Sequence, residues 1–212
     1  MTTIIIPACG ESARWNGQNK LLADVNGEPL IKQSVRRFRE RGIVIVMTHW
    51  PEVKKLFPYD CIEPKQHRWS AETLLASKPW WSQKGLTVWA HGDVLWGDDS
   101  FDRLFYPGNP SPFVIGHYSE ALGFTFLPEQ HTYMENALQS IITYFEDGGE
   151  ARMGAIRATM PLYRAIRGVP FTRMPHPDPK TWPNFYNIRD NTVDLDTPET
   201  LAEWSRICRG EN

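Results

Sequence analysis

The chain has 212 residues with 23 Lys and Arg against 25 Asp and Glu, a formal net charge of -2, and this size predicts one domain with a substantial core. The balanced charge excludes the overall basic footprint of a duplex nucleic-acid binder; no apolar run approaches the ~18 residues of a membrane span; and Cys9, Cys61 and Cys208 are too scattered for a disulfide framework or a zinc knuckle. A cytoplasmic protein with reduced thiols is expected, with no nucleic acid or membrane as partner, and its nine Trp, seven Tyr and ten Phe supply core area in which Trp and Tyr keep a polar tip.

Thr3 to Pro7 is a β-branched run suited to a buried parallel strand, and the polar, glycine-containing stretch Ala8 to Asn19 follows it. Leu30, Ile31, Ser34, Val35 and Phe38 recur on one helical face, with Pro29 at the first turn and Gly42 as the stop. Ile43 to Met47 is again a strand, and this β-loop-α-β order predicts parallel strands joined by crossovers. Ser70 to Lys78 reads as a helix and Leu86 to Ala90 as a strand ending in His91-Gly92-Asp93. Asp99 to Phe105 reads as a short helix, and Phe113 to His117 and Gly123 to Leu127 as strands. Glu129 to Glu146 predicts a helix whose apolar side carries Tyr133, Leu138, Ile141, Ile142 and Phe145. Gly148 to Gly168 is basic and partly helical, Met174 to Pro183 is Pro-rich loop, and Phe185 to Ile188 is a short strand. Pro198 to Cys208 is a closing helix capped by Thr197. With no repeat and no long linker, residues 1–212 read as a single α/β domain.

The segment Ile4 to Leu22 is the most informative. Ala8, Cys9, Gly10 and Ser12 are small enough to let backbone amides approach an anion, and Arg14 and Lys20 bring two cations to the same loop. This is a nucleotide or phosphate cradle, although no Gly-Lys-Ser/Thr ends it and the three-glycine dinucleotide fingerprint is missing. Asp93 follows a buried parallel strand, where α/β sheets bind ligands. The six His show no i, i+4 pair, so zinc is not expected; His91 is notable for standing beside Asp93.

These segments resemble the nucleotidyltransferases with the glycosyltransferase-A-like fold. That family includes sugar-phosphate nucleotidyltransferases, cytidylyltransferases and molybdenum-cofactor guanylyltransferase. In its L-A-A-G-x-G-x-R-M…K signature, Gly10 matches the first glycine, Ser12 replaces the second, Arg14 and Lys20 match the cations, and Trp15 replaces the usual Met or Phe. Asn26-Gly27-Glu28-Pro29-Leu30-Ile31 resembles the G-x-P-L-I segment, and Gly92-Asp93 the G-D-x-P motif, with Leu95 in place of Pro. The run from Asp194 to Leu201 resembles the closing D-x-D/N-T-P-E-D-L motif, with Thr200 for its last Asp. The resemblance implies a three-layer α/β/α sandwich with a mostly parallel mixed central sheet. It implies a transferase that joins an NTP to a small phosphorylated acceptor and releases pyrophosphate, as a monomer or homodimer. Mg²⁺ would be held by Asp93 with Asp196, or else Asp194. The nucleotide would be bound by Pro7, Ala8, Cys9, Gly10, Glu11, Ser12, Arg14, Lys20, Ser70 and Gly92, with Arg14, Lys20 and Asp93 catalytic.

Plainer readings stand beside these. Arg14 and Lys20 are also explained as solvated loop cations, Asp93 as a cap of a following helix, Asp194 and Asp196 as the anionic start of the last helix, and Ser70 as an N-cap. Arg152, Arg157 and Arg164 read first as a solvated basic face and second as a site for the acceptor's phosphate. Trp89 is expected in the core, and Trp15, Trp69 and Trp96 around the cleft. A glycosyltransferase using a nucleotide-sugar donor and a non-catalytic nucleotide binder are the competing functions.

Overall fold

Ile4 and Ile6 of β1 (Thr3–Pro7) enter one hydrophobic cluster and Ile5 enters another, all three fully buried. Successive side chains of a strand point to opposite faces, so this strand is covered on both sides. The same division holds for Val88 and Ala90 against Trp89, and for Phe113 and Ile115 against Val114. The computed structural model that shows this describes residues 1–117, 120–149, 163–165 and 184–208.

Beyond β1, the strands in chain order are β2 (Asp24–Val25), β3 (Glu28–Pro29), β4 (Ile43–Met47), β5 (Cys61–Ile62), β6 (Thr87–Ala90), β7 (Val94–Leu95), β8 (Phe113–His117), β9 (Glu120–Phe126), β10 (Phe185–Asn187) and β11 (Val193–Asp194). Seven of them form one sheet in the order β10-β8-β9-β6-β1-β4-β5. Its pairings are parallel except those made by β9. On one face pack α1 (Leu30–Arg39), α2 (Pro51–Leu56) and α4 (Asp98–Leu104); on the other pack α3 (Ser70–Ala76) and α5 (His131–Glu146). The three-layer sandwich with a mostly parallel mixed sheet is therefore the observed architecture.

The helical face of α1 buries Leu30, Ile31, Ser34, Val35 and Phe38, the residues its periodicity predicts. In α5 one expectation fails: Tyr133 is 43% exposed, and Met134 and Ala137 fill the stripe with Leu138, Ile141, Ile142 and Phe145. Tyr133 lies five residues before Leu138, about 140° round the helix from it. Four further elements, α2, β5, β7 and β11, have no counterpart in the sequence reading. Nor does the β2–β3 hairpin, although Asn26 and Gly27 at its turn have φ of 55° and 89°, the two positive angles of a tight hairpin turn.

The last part of the chain docks onto the segment after β6. Strand β11 pairs antiparallel with β7, and Asp190 accepts hydrogen bonds from the Ser100 backbone N–H (2.7 Å) and hydroxyl (2.9 Å) at the start of α4. Gly97 has no room for a side chain because a Cβ there would enter the Asp190 carboxylate. This docking brings residues 194–196 beside Asp93. The final helix, α6 (Pro198–Cys208), follows, and the Thr197 hydroxyl accepts from the Thr200 N–H at 3.2 Å, as an N-cap does. The basic and Pro-rich readings over 150–183 lie outside the described residues, apart from 163–165. Among the described residues no helix is long and apolar enough to cross a membrane.

Candidate active site

The parallel strands β1, β4, β6 and β8 all end at one edge of the sheet, and the loops leaving that edge build the site. Ala8 still belongs to the sheet: its N–H donates to the Met47 carbonyl at 2.8 Å, and its carbonyl accepts from the Thr48 hydroxyl at 2.9 Å. The Cys9 thiol is buried and donates to the Met47 carbonyl at 3.2 Å. Burial pushes it up to about 11, so it remains a neutral small residue and is no nucleophile at neutral pH. From Cys9 to Ser12 the backbone amides donate to no partner among the described residues, which leaves a short row of N–H groups for an anion. The Ser12 hydroxyl accepts from the Lys20 N–H at 2.9 Å and so closes the loop.

Inside this loop, single 3-10 turns carry Arg14 and Lys20. Lys20 forms an ion pair with Asp93 and lies 4.0 Å from Asp196, while Arg14 Nη1 bonds Asp196 at 2.8 Å. Cations from the first loop thus meet carboxylates from two later motifs. Asp194, on β11, also acts on Lys20 electrostatically. The His91 Nδ1 stands 3.6 Å from Asp93, and Glu120 at the start of β9 feels the charges of His91, Asp196 and Asp93.

The electrostatics show an excess of carboxylate. Burial opposes the charge of Asp93, yet Lys20 and then His91 hold it well below the usual carboxylate range. Burial, followed by the charge of Asp93, pushes Asp194 up to about 8. Burial likewise raises Glu120. Lys20 is held above its ordinary value against burial, first by Asp93 and then by Asp194. His91 is held up in the same way by Asp93.

Between roughly pH 4, the unfolded carboxylate value, and about 8, Asp194 carries a proton only in the folded protein. The folded state then binds more protons, so stability falls as pH rises through that window. Glu120 and His91 act with the same sign, and the opposing effect of Asp93 is confined to pH below its unfolded value. His49 and His131, both lowered by burial, oppose this below their ordinary value of about 6.5, so the metal-free protein is expected to lose melting temperature from about pH 6.5 to 8. Asp194→Asn is expected to flatten the slope; thermal melts across this range check it, and a melting temperature rising with pH contradicts it.

The remaining sequence-predicted residues fall as follows. Pro7 ends β1, Gly10 and Glu11 are exposed at the loop tip, and Gly92 is packed from below. A Cβ on Gly92 would stand 2.7 Å from Ile6 Cγ2 and 2.9 Å from Ile31 Cδ1, and its carbonyl accepts from the Ser34 hydroxyl at 3.2 Å. Overpacking of this kind costs about 1–3 kcal/mol. Gly92→Ala is expected to destabilise the fold by that amount in urea unfolding, and an unchanged midpoint contradicts the packing role. Ser70 is the first residue of α3, not its cap; Trp69 holds the cap position and Glu72 accepts from the Arg68 N–H at 2.7 Å. Thr73, one turn on, reaches the Cys9 thiol, so this helix start adjoins the loop.

Several plain readings are overturned. Asp93 caps no helix, because β7 follows it and α4 begins at Asp98. Neither Asp194 nor Asp196 opens the last helix, since Asp194 is in a strand and Thr197 is the cap. Arg164 is not on a solvated face: it is 1% exposed and burial depresses its pKa. Arg152 and Arg157 lie outside the described residues. Trp89 is in the core as expected; Trp15, 6% exposed, is buried in a cluster with Val25, Leu30, Leu95 and Leu195, and Trp96, 7% exposed, lines a cavity with Arg37, Asp190 and Trp204. Trp96 meets Phe38 edge-on, and Trp69 packs against Phe145 under the Arg68 guanidinium.

Sequence reasoning missed Glu120 and the structural part played by Trp15. Strand β9 begins three residues before the predicted Gly123, so Glu120 was hidden in a turn. The Trp15 indole N–H donates to the Leu195 carbonyl at 3.2 Å, a contact across 180 positions that no local pattern announces.

Residues 4–105 match the family model of the MobA-like NTP transferase domain. No curated protein sequence matches the chain at a significant level. Among solved structures, the fold is similar to that of CTP:phosphocholine cytidylyltransferase from Streptococcus pneumoniae, with a TM-score of 0.61 at 12% identity over 98% of this chain and 99% of that one. It is also similar to inositol-1-phosphate CTP transferase from T. maritima, with a TM-score of 0.55 at 10% identity over 99% of this chain and 97% of that one.

Proposed function

We propose that this chain, whose residues 4–105 match the family model of the MobA-like NTP transferase domain, transfers a nucleotidyl group from an NTP to a small phosphorylated acceptor and releases pyrophosphate. The observation that carries the reading is the meeting of Arg14 and Lys20 with Asp93 and Asp196 at one end of the sheet. Such a reaction brings two anions together and builds charge on the leaving pyrophosphate, so fixed cations and a metal site are what it requires.

The donor set fits Mg²⁺. It consists of carboxylate oxygens, and the upward push on buried Asp194 marks a surplus of negative charge that a cation relieves. No group of three or more His, Cys, Asp or Glu is arranged to hold a metal among the described residues. Mg²⁺ commonly uses one or two carboxylates and takes its other oxygens from substrate phosphates and water. Asp93 and Asp196 would hold the ion, with Asp194 beside them, and the ion would screen the repulsion between the two substrates. The amides from Cys9 to Ser12 bind phosphate oxygens, and Arg14 and Lys20 orient the triphosphate and stabilise charge that grows on it. Asp93 keeps Lys20 protonated and in place. No general base is needed, because a phosphomonoester dianion is already nucleophilic near neutral pH.

A phosphosugar or a phosphorylated alcohol is the acceptor class we favour; phosphocholine and inositol-1-phosphate, in the names of the two similar structures, are of the second kind. The test is a pyrophosphate-release screen of the four NTPs against phosphosugars and phosphorylated alcohols with Mg²⁺. Pyrophosphate formed with one NTP–acceptor pair is the expected outcome. Sugar transfer from a nucleotide-sugar without pyrophosphate, or tight NTP binding with no turnover over the whole panel, overturns it.

A further inference from the structure

We infer that Trp15 is a positioning residue that couples the nucleotide loop to the carboxylate site, making NTP binding and divalent-cation binding cooperative. This rests on the nucleotidyltransferase reading and adds to it a residue that touches neither substrate nor metal.

The connection runs through three bonds. The Trp15 indole N–H donates to the Leu195 carbonyl at 3.2 Å, and the Leu195 N–H donates to the Asp93 carbonyl at 3.1 Å. On either side of this axis, Arg14 precedes Trp15 and bonds Asp196, which follows Leu195. One indole therefore fixes the register of the loop against both Asp93 and Asp196. The ring is 6% exposed and sits in a small separate cluster with Val25, Leu30, Leu95 and Leu195, against which Leu201 and Trp204 of the last helix pack. That cluster joins the hairpin after the loop, the strand after Asp93 and the closing helix. A Phe in this place fills the pocket but lacks the N–H, leaving the Leu195 carbonyl with one partner fewer and the loop free to shift relative to Asp196.

Coupling between two ligands is reciprocal, so either one reports it. The experiment measures by calorimetry the dissociation constant of the NTP that binds best of ATP, GTP, CTP and UTP, with and without Mg²⁺, in the wild type and Trp15→Phe. The wild type is expected to bind more tightly with Mg²⁺, and Trp15→Phe is expected to lose at least fivefold of that enhancement while metal-free binding changes less than twofold. An undiminished enhancement in a cooperatively melting Trp15→Phe protein overturns the coupling and leaves the transferase reading standing. A wild type that binds none of the four NTPs overturns the transferase reading, and the coupling with it. A second measurement needs no variant: in ¹⁵N-tryptophan spectra of the wild type, the Trp15 indole N–H resonance is expected to move when Mg²⁺ and NTP are added together, by more than the sum of their separate effects. A purely additive response overturns the proposal.

Discussion

Asp93→Ala is expected to cut pyrophosphate release about 10³-fold, the scale set by removing a preorganised electrostatic group from an active site, while the protein still folds. Two features argue for survival of the fold. Asp93 holds its place through its backbone, whose carbonyl accepts from Leu195, and loss of its charge relieves Asp194, which Asp93 now pushes towards protonation. Lys20 keeps Asp196 at 4.0 Å as a second partner. Steady-state kinetics with a circular-dichroism melt check this. A variant that melts cooperatively and retains a tenth or more of wild-type turnover removes Asp93 from the catalytic centre.

Lys20→Ala is expected to have the next largest effect, a loss of about 10²–10³-fold in kcat/KM, and Arg14→Ala a much smaller one of about tenfold. Exposure separates the two cations: the Lys20 side chain is 16% exposed and that of Arg14 is 49%. A charge in high dielectric contributes on the order of 1 kcal/mol at contact distance, and several times more where water is excluded. Removing Lys20 also leaves Asp93, Asp194 and Glu120 without the cation that lowers their proton affinity. The acidic limb of the pH–rate profile should therefore move to higher pH in Lys20→Ala and stay in place in Arg14→Ala. Equal losses in the two variants, with an unshifted acidic limb, contradict this division of labour.

The parts of the molecule readable from residue order are those in which burial repeats with a local period. Strand β1 carries β-branched residues on both faces, α1 carries a stripe from Leu30 to Phe38, and both stand where their patterns place them. The two-residue strands β7 and β11 are too short to have a period, and their pairing depends on the Asp190 clamp almost a hundred residues from Ser100. For that reason residue order leaves a helix cap open as the plainer reading of Asp93, whereas the structure continues it into a strand. The loop cations and the three carboxylates were legible as residue types because small residues, cations and acids stood at element boundaries. Their mutual distances were not, since these follow from the docking of the closing segment. Trp15 shows the limit most clearly. In sequence it is a large ring in a glycine loop and suggests a cleft wall, whereas burial and its bond to Leu195 make it part of the framework.

The most direct test of the account follows the phosphorus. With the active NTP labelled either at the α- or at the γ-phosphate and incubated with acceptor and Mg²⁺, the α-label is expected in the acceptor product and the γ-label in pyrophosphate, in equal amounts. Transfer of the γ-label to the acceptor, or retention of both labels in unreacted NTP across the acceptor panel, would contradict nucleotidyl transfer at the Lys20–Asp93–Asp196 site.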